Sequence, residues 1–175
     1  PGVFYRDFEA ETLRYGVILP SYTASRELNT VGGMVANNSA GEKSLTYGKT
    51  ERYVHSIKVI LQDGIEYEFH KLSREELEAK KLQQNYEGEV YRRVEELIIK
   101  NQPTIEKERP TVSKNSAGYS IWNVWDKKAD TFDMTQLFVG SQGTLGLKSE
   151  ITFNLVKPKK ESRMLVMFLR AKHLS

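Results

Sequence analysis

Two stretches of this chain give up bulky side chains in favour of backbone access and short polar groups, the composition that a close-fitting ligand asks for. The first is Thr30-Val31-Gly32-Gly33-Met34-Val35-Ala36-Asn37-Asn38-Ser39-Ala40-Gly41. Gly32 and Gly33 remove two Cβ atoms, so the main chain there can take a positive φ or lie close against a flat ligand. Thr30, Asn37, Asn38 and Ser39 offer hydroxyl and amide groups, and the stretch up to Gly41 is long enough for about two helical turns. A helix starting at Thr30 would be capped by that hydroxyl, and its positive end would favour a phosphate, a carbonyl or an electron-rich ring edge. The second stretch, Gly140-Ser141-Gln142-Gly143-Thr144-Leu145-Gly146, makes the same exchange directly before an alternating strand. Neither is the dinucleotide fingerprint G-x-G-x-x-G, and neither has the Lys-Ser/Thr ending of a P-loop. On residue types alone, the first run reads equally as a glycine turn followed by a surface helix.

Other chemistries have little to work with. The absence of cysteine excludes disulfides, a thiolate nucleophile and cysteine metal sites. His55 falls within a strand and His70 at the end of one, neither has a neighbour spaced to complete a metal site, and His173 lies near the C-terminus; no metal ligand and no catalytic residue is assigned. The 26 basic and 23 acidic residues leave a formal charge of +3 and a pI near 9.0. The signs are mixed along the chain, and basic and aromatic residues do not interleave in one segment, which argues for a solvated surface and against a nucleic-acid partner. No stretch approaches the roughly 20 apolar residues of a membrane span, and Pro1-Gly2-Val3-Phe4 is not a signal peptide. A chain of 175 residues fits one domain and can bury roughly 70% of its unfolded surface.

The two glycine runs, together with Tyr47-Gly48, the strand into Asp63-Gly64 and Lys114-Asn115-Ser116-Ala117-Gly118-Tyr119, resemble the second half of the FAD-binding domain of the vanillyl-alcohol oxidase (PCMH) type. That domain occurs in flavin-dependent D-2-hydroxyacid dehydrogenases, glycolate oxidase and alkyl-dihydroxyacetone-phosphate synthase. The resemblance runs from about Pro1 to Pro158. It implies an FAD site formed by Ser25, Thr30, Gly32, Gly33, Asn37, Asn38, Ser39 and Gly41, with Gly143, Gly146 and Leu147 at the adenine and ribose end, the two glycines allowing close approach and Leu147 forming an apolar wall. Where the family usually has glutamate this chain has Gln142, so a role resting on that carboxylate does not carry over. The family's glycine-rich pyrophosphate loop has no counterpart, which implies a fragment: residues 1–158 as the second FAD-binding subdomain, and 159–175 as the start of a connection to a substrate or cap domain.

The elements that would position these residues follow from local patterning. Asp7 can cap a helix through Tyr15, with Phe8 and Leu13 facing inward and Gly16 as its stop. Val17-Ile18-Leu19 reads as a short buried strand ended by Pro20, and Ser21 to Asn29 as a polar loop, with Arg26 and Glu27 solvated. Glu42 to Arg52 reads as loop, bending at Tyr47-Gly48. Alternation from Tyr53 to Gln62, the turn Asp63-Gly64 and a return strand Ile65 to Phe69 form a hairpin. Ser73 and Glu76 form a capping box for a helix to about Leu82. A second helix runs from Glu87 to Lys100 with Val90, Val94, Leu97 and Ile98 as its apolar stripe, Arg92, Arg93, Glu95 and Glu96 wet, and Asn101 and Pro103 stopping it. This insert is closer to the longer D-2-hydroxyacid dehydrogenase branch than to the compact glycolate oxidase subunit, and in that branch the segment around Trp122 and Trp125 lies near the flavin or the substrate domain, whereas the residues alone read as aromatics packed under a loop. Leu147 to Val156 alternates as an edge or half-covered strand, and Met164 to Leu169 reads as another strand.

The expected fold is α+β, a mainly antiparallel sheet with flanking helices. The resemblance implies an FAD-linked oxidoreductase that takes hydride from the carbinol carbon of a D-2-hydroxy acid of the D-lactate, glycolate or D-2-hydroxyglutarate type, the base and carboxylate-binding residues belonging to the cap domain. Its implied setting is the cytoplasm, or the periphery of the inner membrane for a full-length parent. Two alternatives stay open: the FAD-binding part of a UDP-N-acetylenolpyruvoylglucosamine reductase, which draws hydride from NADPH, and a non-catalytic flavin-binding module.

Overall fold

The computed structural model describes residues 1–112, 115, 116, 118–159, 161 and 165–168. Its centre is an antiparallel sheet of five strands, α+β in class as expected. The hairpin strands β1 (Val54–Ile60) and β2 (Glu66–Ser73) pair in the register Ile57↔Phe69 and Val59↔Tyr67 around the Asp63-Gly64 turn. Asp63 stabilises this turn twice, accepting from the Ile65 N–H at 3.1 Å and from the Tyr67 hydroxyl at 2.6 Å. β5 (Leu147–Phe153) pairs with β1 as an edge strand. On the other side β2 pairs with β4 (Thr131–Asp133), which pairs with β3 (Trp125–Asp126), giving the order β3-β4-β2-β1-β5.

Helices α4 (Arg74–Leu82) and α5 (Tyr86–Lys107) and the short α6 (Thr135–Phe138) cover the core face. The Ser73–Glu76 capping box forms in both directions. α5 buries Tyr91 and Ile98 against Phe69, Phe132 and Phe138. It departs from the sequence expectation in two ways. It runs through Pro103 to Lys107, because the carbonyl a proline leaves without its helical donor belongs to Ile99, which is 53% exposed and can be served by water. And Glu95 is buried at 7%, bonded to Arg74 at 2.7 Å and Lys81 at 2.6 Å, whereas Leu97 is exposed.

The N-terminal half packs as a second cluster. α1 (Tyr5–Arg14) starts after Phe4, with Asp7 inside its first turn, and its anchor is the fully buried Tyr5, whose hydroxyl donates to the Leu19 carbonyl at 2.8 Å. Phe8 packs edge-on against Phe153, while Leu13 is exposed. The strand expected at 17–19 reduces to a single bridge between Ile18 and Val156. Between 42 and 52 the chain forms α3 (Ser44–Tyr47) and a 3-10 turn (Thr50–Arg52) rather than plain loop. Of the strand expected over 164–169, residues 165–168 are irregular and exposed, and its two ends lie outside the described residues.

Candidate functional site

α2 (Val31–Ala36) begins where the sequence places it: the Thr30 Oγ1 accepts from the Gly33 N–H at 3.2 Å. The other early donors are also taken, Val31 N–H by the Val3 carbonyl at 2.9 Å and Gly32 N–H by the Pro1 carbonyl at 2.8 Å. The positive helix end is thus closed by the chain's own start. Gly32 serves that closure, since a Cβ on it would stand 2.6 Å from the Pro1 Cβ. Gly33 is exposed and meets only its own cap.

At its other end α2 meets the second glycine run. Gly140 N–H donates to the Val35 carbonyl at 2.9 Å, and Gln142 N–H to the Ala36 carbonyl at 3.0 Å, so residues 140–142 satisfy carbonyls that a helix C-terminus leaves open. The loop needs positive φ at Gly140, Gln142 and Gly143 to do this. The remaining motifs converge on the same place. Tyr119 and Thr144 share a hydroxyl–hydroxyl bond of 2.7 Å, and the Lys49 ammonium, one residue past Gly48, donates to the Asn115 carbonyl. Of the Lys114–Tyr119 motif, Lys114 and Ala117 lie outside the described residues.

The residues singled out from sequence fall into two groups. Ser25, Gly33, Asn37, Gly143 and Leu147 are exposed, and Thr30 is half-buried at the mouth of α2. Gly143 has φ +82° and open space where a Cβ would stand. Leu147 is 71% exposed and lines an apolar cavity of about 630 Å³ together with Leu61, Val90 and Leu145. The second group is engaged in holding the fold. Asn38, at φ +46°, is buried and clamps Glu51, donating to its carboxylate at 2.5 Å and accepting its backbone N–H at 3.1 Å. The buried Ser39 offers its carbonyl to Thr50, whose hydroxyl reaches it at 2.8 Å. Gly41 and Gly146 are closely packed: a Cβ on Gly41 would fall 1.8 Å from the Tyr22 carbonyl oxygen, and one on Gly146 2.6 Å from Val59 Cγ1 and 2.7 Å from the Ile60 oxygen.

One charged residue at this site had no sequence signal beyond its place in an alternating strand. Lys148 faces inward because β5 slips by one residue between Lys58 and Val59, which sets it opposite Val59. Its ammonium donates to the Ser141 hydroxyl at 3.0 Å with no carboxylate in ion-pairing range among the described residues, and burial holds its pKa below the ordinary lysine value.

The exposed glycine backbone at 33 and 143, with short polar groups beside it, leaves room for a flat ligand such as the ring system of FAD. No group of His, Asp and Glu able to hold a metal occurs among the described residues, and no described helix is long and apolar enough to cross a membrane. Residues 1–69 match the FAD binding domain family. The chain is 25% identical over 163 residues, 93% of its length, to the D-2-hydroxyglutarate dehydrogenase of Pantoea ananatis. It is 27% identical over 135 residues, 77% of its length, to the enzyme of the same name from Escherichia coli. With the glycolate oxidase subunit GlcD of Bacillus subtilis it shares 27% identity over 169 residues, 96% of its length. It spans only 16%, 13% and 25% of those three proteins. Residues 1–69 are thus similar to the FAD binding domain family, and the chain as a whole is similar to part of D-2-hydroxyglutarate dehydrogenases and of a glycolate oxidase subunit.

Proposed function

We propose that this chain is the FAD-holding part of an oxidoreductase that oxidises a D-2-hydroxy acid. The observation that carries the reading is the convergence of the two glycine runs, joined by Gly140 to Val35 and Gln142 to Ala36, with their exposed backbone at Gly33 and Gly143 left accessible. Bound FAD would supply a two-electron acceptor for hydride leaving the carbinol carbon. The chain's own residues would bind and orient it: Thr30, Gly33 and Asn37 along one part, Ser25 from the neighbouring loop, and Gly143 with Leu147 at the adenine and ribose end, where the apolar cavity lies. Asn38, Ser39, Gly32, Gly41 and Gly146 would act one step back by holding α2 and the 140–146 loop in place. The base that takes the hydroxyl proton and the groups that hold the substrate carboxylate belong to a domain outside this chain.

The full-length protein tests this directly. Purified, it should show flavin absorbance in the near-ultraviolet and blue, and anaerobic D-2-hydroxyglutarate, D-lactate or glycolate should bleach it. Bleaching by NADPH alone would instead favour the reductase alternative, and a colourless protein that takes up no added FAD would remove the flavin reading altogether.

A further inference from the structure

Beyond the paired Ile57 and Phe69 the sheet turns polar: the exposed His55 and Lys71 line one cleft, and Lys71 pairs across to Asp133. This polar row floors that cleft, which measures about 730 Å³ and is walled by Trp122 and Asn123 and flanked by Lys49, Arg52 and Arg109. The cleft continues into a neighbouring cavity of about 700 Å³ that shares Lys71, Arg109 and Trp122.

The acidic groups around these cavities are already engaged. Glu51 holds Lys49 at 3.2 Å and Asn38, and Asp133 accepts from the Thr135 N–H at 3.0 Å and its hydroxyl at 2.6 Å. Asp126 accepts from the Lys128 and Ala129 N–H groups, and Glu106 pairs with Lys127 at 3.0 Å. By contrast Arg52, Lys71 and Arg109 sit within ion-pairing distance of no described carboxylate, although Lys71 is near enough to Asp126 to help hold that carboxyl below its usual range. In the wall of the second cavity, Trp125 Nε1 and Thr131 Oγ1 are buried without a hydrogen-bond partner, and the indole N–H can only donate. The cleft itself sets Lys49, Arg52, Lys71 and Arg109 against the two carboxylates of Glu51 and Asp133, so its lining is net positive.

We propose that this cleft binds a small dianion, carboxylate or phosphate, beside the glycine surface assigned to FAD, which it adjoins at Lys49 and Glu51. Lys71 and Arg109 contact it from the floor and the rim, and Arg52 adds charge from the side. Arginine suits this task because its planar fork presents paired donors to a carboxylate or phosphate.

The test uses the 175-residue chain without flavin. Its melting temperature is followed against sodium glutarate, sodium phosphate and sodium chloride at matched ionic strength, and binding is measured by calorimetry. The expected result is a saturable rise with glutarate, phosphate or both, absent with chloride, and at least a tenfold loss of affinity in Lys71→Gln and in Arg109→Gln. Lys107→Gln, an exposed lysine outside the cleft, should bind as the parent does. A response to glutarate alone marks the natural ligand as an organic dicarboxylate, and a response to phosphate alone marks it as a phosphate-bearing one. Equal shifts with all three salts, or unchanged binding in the Lys71→Gln/Arg109→Gln double variant, would overturn the proposal.

Discussion

The Gln142 N–H donates to the Ala36 carbonyl over 3.0 Å while Gln142 itself sits at φ +51°. A left-handed residue is thus what lets the second glycine run close the end of α2. Gln142→Val should cost about 1–2 kcal/mol, because a branched Cβ is ill suited to that region, whereas Gln142→Gly should cost nothing measurable. Gln142→Glu leaves an exposed side chain of the same reach and should keep both stability and flavin. Thermal denaturation of the three variants decides, and a valine variant as stable as the glycine one would show that the loop rearranges.

Gly143 and Gly146 look alike in the sequence but differ in their surroundings, open at Gly143 and crowded at Gly146. Gly146→Val places atoms inside Val59 and the Ile60 carbonyl, so the variant should fail to fold. Gly143→Ala has open space, should cost about 1 kcal/mol for its positive φ, and should fold. If the full-length protein carrying Gly143→Ala retains flavin as tightly as the parent through dialysis, Gly143 is no part of the cofactor contact.

Glu95 is the buried acceptor shared by Arg74 and Lys81. Glu95→Gln should lower stability at pH 7 by about 1–3 kcal/mol, since Arg74 and Lys81 lose the buried one of their carboxylate partners and keep only the more exposed Glu78 and Asp130. The hydrogen bond to Glu95 raises the Lys81 pKa above 10.5, so that part of the stability is fully present below pH 10.5 and is lost as pH climbs through the folded value. The gap between parent and variant should therefore narrow above pH 10.5 in urea titrations, leaving the part that Arg74 supplies. A gap that stays constant into that range would mean Lys81 is not coupled to Glu95.

Lys148 carries the opposite sign. Burial lowers its pKa, so the folded state sheds the proton more readily than the unfolded one, and this group's contribution to stability rises as pH climbs from the folded value toward 10.5. Lys148→Met should be more stable than the parent near neutrality, with the advantage shrinking at alkaline pH. A methionine variant less stable at pH 7 would show that the bond to Ser141 outweighs the cost of burial.

Several features were legible without the structure because their cause is local. The Asp63-Gly64 hairpin follows from period-two alternation around a turn whose carboxylate binds two and four residues onward, the Ser73–Glu76 box is complete within four residues, and Thr30 caps its own helix. Other features depend on partners far along the chain. Pattern reading puts Glu95 on the wet side of α5, yet Arg74 and Lys81 come from the preceding helix and draw it inward. The same reading ends α5 at Pro103, although the carbonyl left open there faces water. Most consequential is the site itself. Composition picks out the two glycine runs, but only the folded chain shows that Gly140 and Gln142 tie onto Val35 and Ala36, that Asn38 is spent on Glu51, and that Gly146 makes room for Val59. These are contacts between residues up to about a hundred positions apart, and a residue type records that space is needed without recording what fills it.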